Sequence, residues 1–176
     1  MRAVVYDRYG PPDVLRLEEV PTPTPGPGQV LVEVVATSIN LSDWESLVGS
    51  PFYARFGGLR KPRRQTLGSD IAGRVVAVGS EVTRFRPGEA VYGEIPMGGF
   101  AEYAVAPESG LAHKPEGLTF AQASTIPQPG PIALQGTATV KPGQRVAING
   151  AGGGSGSFAI QLAKRAEAHV TGIDSA

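Results

Sequence analysis

The chain has 176 residues, with 16 Lys and Arg balanced by 16 Asp and Glu, so it carries no net charge and shows no basic excess of the kind that marks nucleic-acid binding. It has no cysteine, which excludes disulfides, thiolate nucleophiles and cysteine-ligated zinc. No apolar run reaches the length of a membrane span, and no signal peptide is visible at the start, so the expectation is a cytoplasmic protein.

The 24 Gly and 16 Pro suit many short strands joined by tight turns. Arg2 to Tyr6 reads as a first strand, and the alternation from Val14 to Glu19 as a second. Pro21, Pro23, Pro25 and Pro27 then hold an extended, stiff connection. Gln29 to Thr37 alternates with β-branched residues, the signature of a half-buried strand. The next segment, SINLSDWESLVGS, changes character. Ser42 can cap a short helix, with Glu45 three residues on completing a capping box, and Trp44, Leu47 and Val48 supply its apolar side. Asn40 stands on the turn before this helix, placed for a polar contact with a ligand; on the residues alone its reading as a turn residue comes first.

Residues 51–67 form a basic loop with Gly and Pro, in which Tyr53 and Phe56 either fold over a cleft or anchor the loop. Ile71 to Val78 is a strong strand. Turns at Gly79-Ser80 and Pro87-Gly88 lead to strands at Glu89 to Tyr92, Phe100 to Val105 and Ala112 to Lys114, a dense run that reads as an antiparallel barrel-like domain. From Thr119 the pattern turns helical, with helices expected over Phe120 to Thr125 and Pro131 to Ala138.

Arg145 to Asp174 then has the order strand, glycine turn, helix, strand, the first crossover of a dinucleotide-binding sheet. Glycines let backbone N–H groups approach a pyrophosphate, and the helix N-terminus adds partial positive charge there. Two registers fit the loop. One takes Gly150, Gly152 and Ser155. The other, preferred because Gly156 then packs the helix start on the first strand, takes Ala151, Gly153, Gly154 and Gly156. A flexible surface loop is the bland alternative. Asp174 ends the second strand, where an acid accepts hydrogen bonds from ribose hydroxyls and repels an added phosphate, a local argument for NADH. One crossover leaves sheet edges uncovered, so the sequence is expected to be part of a longer protein.

With a barrel ahead of a dinucleotide unit, the chain resembles the medium-chain dehydrogenase/reductase superfamily, in its zinc-independent quinone oxidoreductase and zeta-crystallin-like branch. The resemblance rests on MRAVVYDRYG, PGPGQVLVEVVATSINLSD, LGSDIAGRVVAVG, GGFAEYAV, IPQPG and PGQRVAINGAGGGSGSFAIQLAK. It implies a mixed α/β fold, with a GroES-like β-barrel domain over residues 1–126 and the first β-α-β unit of a Rossmann domain, incomplete, over 127–176. Zinc-dependent members place a cysteine near Ile39 and a histidine–glutamate pair at Ser69 and Asp70; with Ser69 in that place, no metal is expected. His113 and His169 are expected to be structural or surface residues.

The same resemblance implies that Asn40 lies near the nicotinamide and substrate. Asp43 is the acid of the same motif, either in the catalytic machinery or orienting the helix start. A tyrosine of some members is Glu45 here. Gln128 and Gly130 would line the cofactor cleft, with Thr137 further along and Ser175 near an NADPH phosphate. The implied function is NAD(P)H-dependent hydride transfer to a small quinone or α,β-unsaturated carbonyl, with NADPH favoured and NADH the alternative. The full-length protein is expected to be a possible homodimer with no nucleic-acid or membrane partner, and the 176-residue chain alone a poor catalyst. A regulatory or structural nucleotide-binding protein of the same fold is the competing reading.

Overall fold

A computed structural model describes residues 1–175. Its contacts divide the chain into two units, Met1–Ser124 and Thr125–Ala176.

In the first unit, β1 (Arg2–Val5) pairs antiparallel with β2 (Arg16–Glu19). The expected single strand from Val14 is interrupted. A 3-10 turn over Pro12–Val14 comes first, and Val14 turns inward to pack with Tyr6, Leu47 and Leu67. Proline fixes φ at the first position of the turn, and burial of Val14 favours the bend over an extended register. A five-stranded antiparallel sheet follows, in the order β6-β3-β4-β5-β7. Its members are β3 (Gln29–Ser38), β4 (Asp70–Val78), β5 (Ala90–Glu94), β6 (Tyr103–Pro107) and β7 (Leu111–His113). β5 and β6 each begin and end later than the alternation suggested, because the turns before them extend further.

Alternation on β3 sends Val30 and Val32 inward, where they join Ile71, Val75, Phe85, Val91, Ile95 and Leu111 in the main core. Each fully buried valine contributes about 2 kcal/mol. The β3–β4 register slips between Leu31 and Val32 and again between Val34 and Ala36. Such bulges bend a strand and raise its twist, which lets a short sheet curl. Single bridges, Ala3 to Ala101 and Val5 to Thr66, fasten β1 to later loops. α1 (Leu41–Val48) leaves the end of β3, and α2 (Phe120–Ser124) closes the unit.

In the second unit, α3 (Pro129–Thr137) starts two residues earlier than expected, with Pro129 at its first turn, where the missing N–H costs nothing. β8 (Arg145–Asn149), α4 (Gly154–Arg165) and β9 (His169–Ile173) follow. β8 and β9 are parallel, paired from Arg145 with His169 to Asn149 with Ile173. Parallel neighbours need a crossover, and α4 supplies it. Among the described residues no helix is long and apolar enough to cross a membrane.

Candidate functional site

The glycine loop is a tight structure. Gly150 takes φ +77°, a conformation glycine adopts without penalty. The N–H groups of Gly150 and Ala151 donate to the Ile173 carbonyl at 2.8 and 3.1 Å, and Gly153 donates to the Gly150 carbonyl at 3.1 Å. The N–H of Gly152 donates to the Asp174 carboxylate, which also accepts the Ser175 N–H at 2.8 Å. Four of the loop's donors are therefore engaged within the chain. Those of Gly154, Ser155 and Gly156 are the first three of α4; helix geometry gives them no intrahelical acceptor, and together with the helix dipole they form the anion-receptive end of the loop.

Gly156 is buried, and a Cβ there would lie 2.0 Å from the Gly150 carbonyl oxygen. The close approach thus joins the first turn of α4 to the loop directly after β8, the contact that the shifted register anticipates. A Cβ on Gly154 would meet Pro129 at 3.2 Å, so the starts of α3 and α4 lie side by side. That brings Gln128, the N-cap of α3, and Gly130 next to the glycine loop. Thr137 is at the other end of α3, with its hydroxyl donating to the Ala133 carbonyl at 2.8 Å. Asp174 faces the glycine loop, where its charge is partly satisfied by two backbone N–H groups.

In the first unit, Asn40 and not Ser42 is the N-cap of α1, and the third helical residue is Asp43 and not Glu45. The frame is two residues earlier than expected, with the single residue Ile39 between β3 and the cap. The Asn40 N–H donates to Asp43 Oδ2 at 2.8 Å, and the Gly68 N–H donates to Asp43 Oδ1 at 2.9 Å. Asp43 is only 2% exposed. Burial raises its pKa above the usual carboxylate value, and the two backbone N–H groups oppose that rise. Both oxygens accept from backbone, so Asp43 ties the helix start to the segment before β4.

The Asn40 amide nitrogen is different: it is buried and has no hydrogen-bond partner among the described residues. Unsatisfied buried donors are rare and call for an explanation, such as a ligand acceptor. Around it Ile39, Leu41 and Trp44 are exposed apolar side chains. Tyr53 folds back onto α1, its hydroxyl donating to Glu45 Oε2 at 2.9 Å, while Phe52 and Phe56 stack edge to face at 6.0 Å. Sequence reasoning left the fate of this loop open; the acceptor at Glu45, one helical turn along from Leu41, was the available signal.

A family model for the alcohol dehydrogenase GroES-like domain matches residues 26–116, more than half of the chain. The chain belongs to the quinone oxidoreductase branch of the medium-chain dehydrogenase/reductase superfamily. It is 37% identical over 187 residues to the chloroplastic quinone-oxidoreductase QR1 of Triphysaria versicolor, a match covering 97% of this chain and 54% of the relative. The solved quinone oxidoreductase of Coxiella burnetii shares 36% identity and superposes with a TM-score of 0.88, covering 100% of this chain and 56% of that one. The mycobacterial protein Rv1454c, solved in complex with NADPH, shares 29% identity with a TM-score of 0.87, covering 100% of this chain and 53% of that one. The chain thus spans about half the length of the relatives it matches.

Some proteins of this superfamily hold catalytic zinc, and the donor set here does not fit it. Ser69, 5% exposed with its hydroxyl unpartnered among the described residues, stands beside the buried Asp70, and Ile39 offers no donor. One carboxylate and one alcohol do not make a tetrahedral zinc site. The glycine loop does fit a dinucleotide phosphate: the first three N–H groups of α4 have no intrahelical acceptor, and glycine at 156 lets the helix start pack directly on the Gly150 carbonyl.

Proposed function

We infer that the protein acts in NAD(P)H-dependent hydride transfer to a quinone or α,β-unsaturated carbonyl, without zinc. The observation that carries this reading is the cradle at Gly154–Gly156, three helix-start donors beside a backbone contact that excludes any side chain at Gly156. Those N–H groups would bind the cofactor phosphates, with Gln128 and Gly130 beside them. When bound, the reduced nicotinamide supplies the hydride. Asn40 would donate its free amide hydrogen to the acceptor oxygen, on which negative charge builds. An amide cannot give up that proton at ordinary pH, so Asn40 orients and stabilises while water delivers the proton. Exposed Ile39, Leu41 and Trp44 suit an apolar acceptor.

Between the cofactors the reading is NADPH, supported by the mycobacterial relative solved with NADPH. The Asp174 carboxylate beside the loop is the opposing feature, softened by its two backbone hydrogen bonds. The test is a fluorescence titration of the chain with NADPH and NADH, repeated on Gly156→Val. Saturable binding that the substitution abolishes is expected; affinity unchanged by it removes the glycine loop from the reading.

A further inference from the structure

The first unit contains a cavity of about 480 Å³ that the nucleotide reading does not use. Tyr6, Tyr9, Ser46, Pro62, Arg63 and Met97 are among its walls. Three features set it apart from an ordinary surface dent. Tyr6 is 3% exposed, and among the described residues its hydroxyl has one hydrogen bond, to the Ser46 carbonyl at a long 3.4 Å. At that length the bond is weak, and the hydroxyl can turn to a better acceptor. Burial first, then the neighbouring Tyr9 and Asp43, push the Tyr6 pKa up to about 12, so it stays a donor throughout the working range.

Met97 holds φ +142°, a backbone conformation rare for a bulky residue. Such outliers persist where surrounding structure imposes them and gather at binding sites. The third feature is charge. Pro51 to Leu67 contains Arg55, Arg60, Lys61, Arg63 and Arg64 and no carboxylate. Arg55 lies over the Tyr9 ring at 4.9 Å, and Arg64 donates to the Pro96 carbonyl. Arg63, exposed and among the residues that line the cavity, has no side-chain hydrogen-bond or ion-pair partner among the described residues.

We propose that this cavity is a binding site for a small aromatic carboxylate, held by Arg63 at the mouth and Tyr6 within. A guanidinium pairs with a carboxylate through two parallel hydrogen bonds, and the phenol adds a donor from the interior. The rings of Tyr6 and Tyr9, the Met97 thioether and Pro62 offer a mostly apolar wall for a planar ring. A bare inorganic anion would satisfy Arg63 and leave that wall unfilled. The site does not depend on the nucleotide reading.

The test is isothermal titration of the chain with 2-naphthoate, 2-naphthol and inorganic phosphate. Saturable 2-naphthoate binding is expected, with the neutral naphthol and phosphate each weaker by about tenfold or more. Arg63→Ala, at an exposed position that leaves the core intact, should weaken 2-naphthoate by about tenfold. Tyr6→Phe, which removes only the hydroxyl, should weaken it by about threefold, and Arg60→Ala should leave it unchanged. Absence of saturable 2-naphthoate binding, equal affinity for phosphate, or equal affinity in Arg63→Ala and the parent chain would each overturn the proposal.

Discussion

Gly156→Ala is the sharpest test of the glycine loop, because it adds one methyl group at the point of closest approach. The new carbon would lie 2.0 Å from the Gly150 oxygen, 2.7 Å from its carbonyl carbon and 2.8 Å from the Ala151 Cα. All three are backbone atoms, so no flexible side chain can swing aside. Reaching an ordinary separation of about 3.5 Å requires a shift of roughly 1.5 Å. Gly150 is held by its N–H to the Ile173 carbonyl and by the Gly153 N–H to its own oxygen, and a shift of that size breaks at least one of these bonds. Overpacking costs about 1–3 kcal/mol and a lost hydrogen bond about 1 kcal/mol, against a gain of up to about 1 kcal/mol from alanine's helix propensity. The net expectation is a loss of about 2 kcal/mol. Urea denaturation of the second unit measures the loss, and an NADPH titration should show at least about tenfold weaker binding. Gly136→Ala is the matched control. It lies in α3 with nothing within 4 Å of its Cβ position, so it should stabilise by about 0.5 kcal/mol. If Gly156→Ala unfolds at the parental urea concentration and binds NADPH as tightly, the close-packed cradle is wrong.

Asp43→Asn should cost about 1–3 kcal/mol, since its amide nitrogen must face one of the two backbone N–H groups that the carboxylate now accepts. Because burial raises the Asp43 pKa, its contribution is fully present below the unfolded value of about 3.9 and falls as pH climbs through the folded value. The stability gap between the parent and Asp43→Asn should therefore narrow from acid toward neutral pH in paired urea titrations; a gap that widens contradicts the raised pKa. Asp174→Ser removes the carboxylate beside Gly152 and should raise NADPH affinity relative to NADH, read by fluorescence titration. A parent that prefers NADH, with the variant shifting to NADPH, would show that Asp174 sets the choice and that the NADPH reading is wrong. Asn40→Ala should lower kcat for a quinone in the full-length protein by about a hundredfold, with little change in cofactor affinity; undiminished turnover removes Asn40 from the acceptor site.

The sequence by itself determined the elements whose physics is local. Alternation placed β3 and β4, because a period of two with β-branched residues suits a half-buried sheet and little else. The strand, glycines and helix around Gly150–Gly156 were legible for the same reason: each residue type is required by the backbone at its own position. The family was legible too, since several spaced motifs in order leave few alternatives. Only tertiary structure decided the rest. Val14 broke a strand because a core pocket under Tyr6 was worth more than continued pairing. The cap of α1 moved from Ser42 to Asn40 because the Asp43 carboxylate reaches Gly68, a partner far away in sequence that no local rule reveals. The pairing of β8 with β9 brings Ile173 and Asp174 to the glycine loop, where they take three of its donors, while the Gly153 N–H turns back to the Gly150 carbonyl. That the Asn40 amide nitrogen and the Arg63 side chain have no partner among the described residues likewise follows from what the fold places beside them, and a missing neighbour leaves no mark in the sequence.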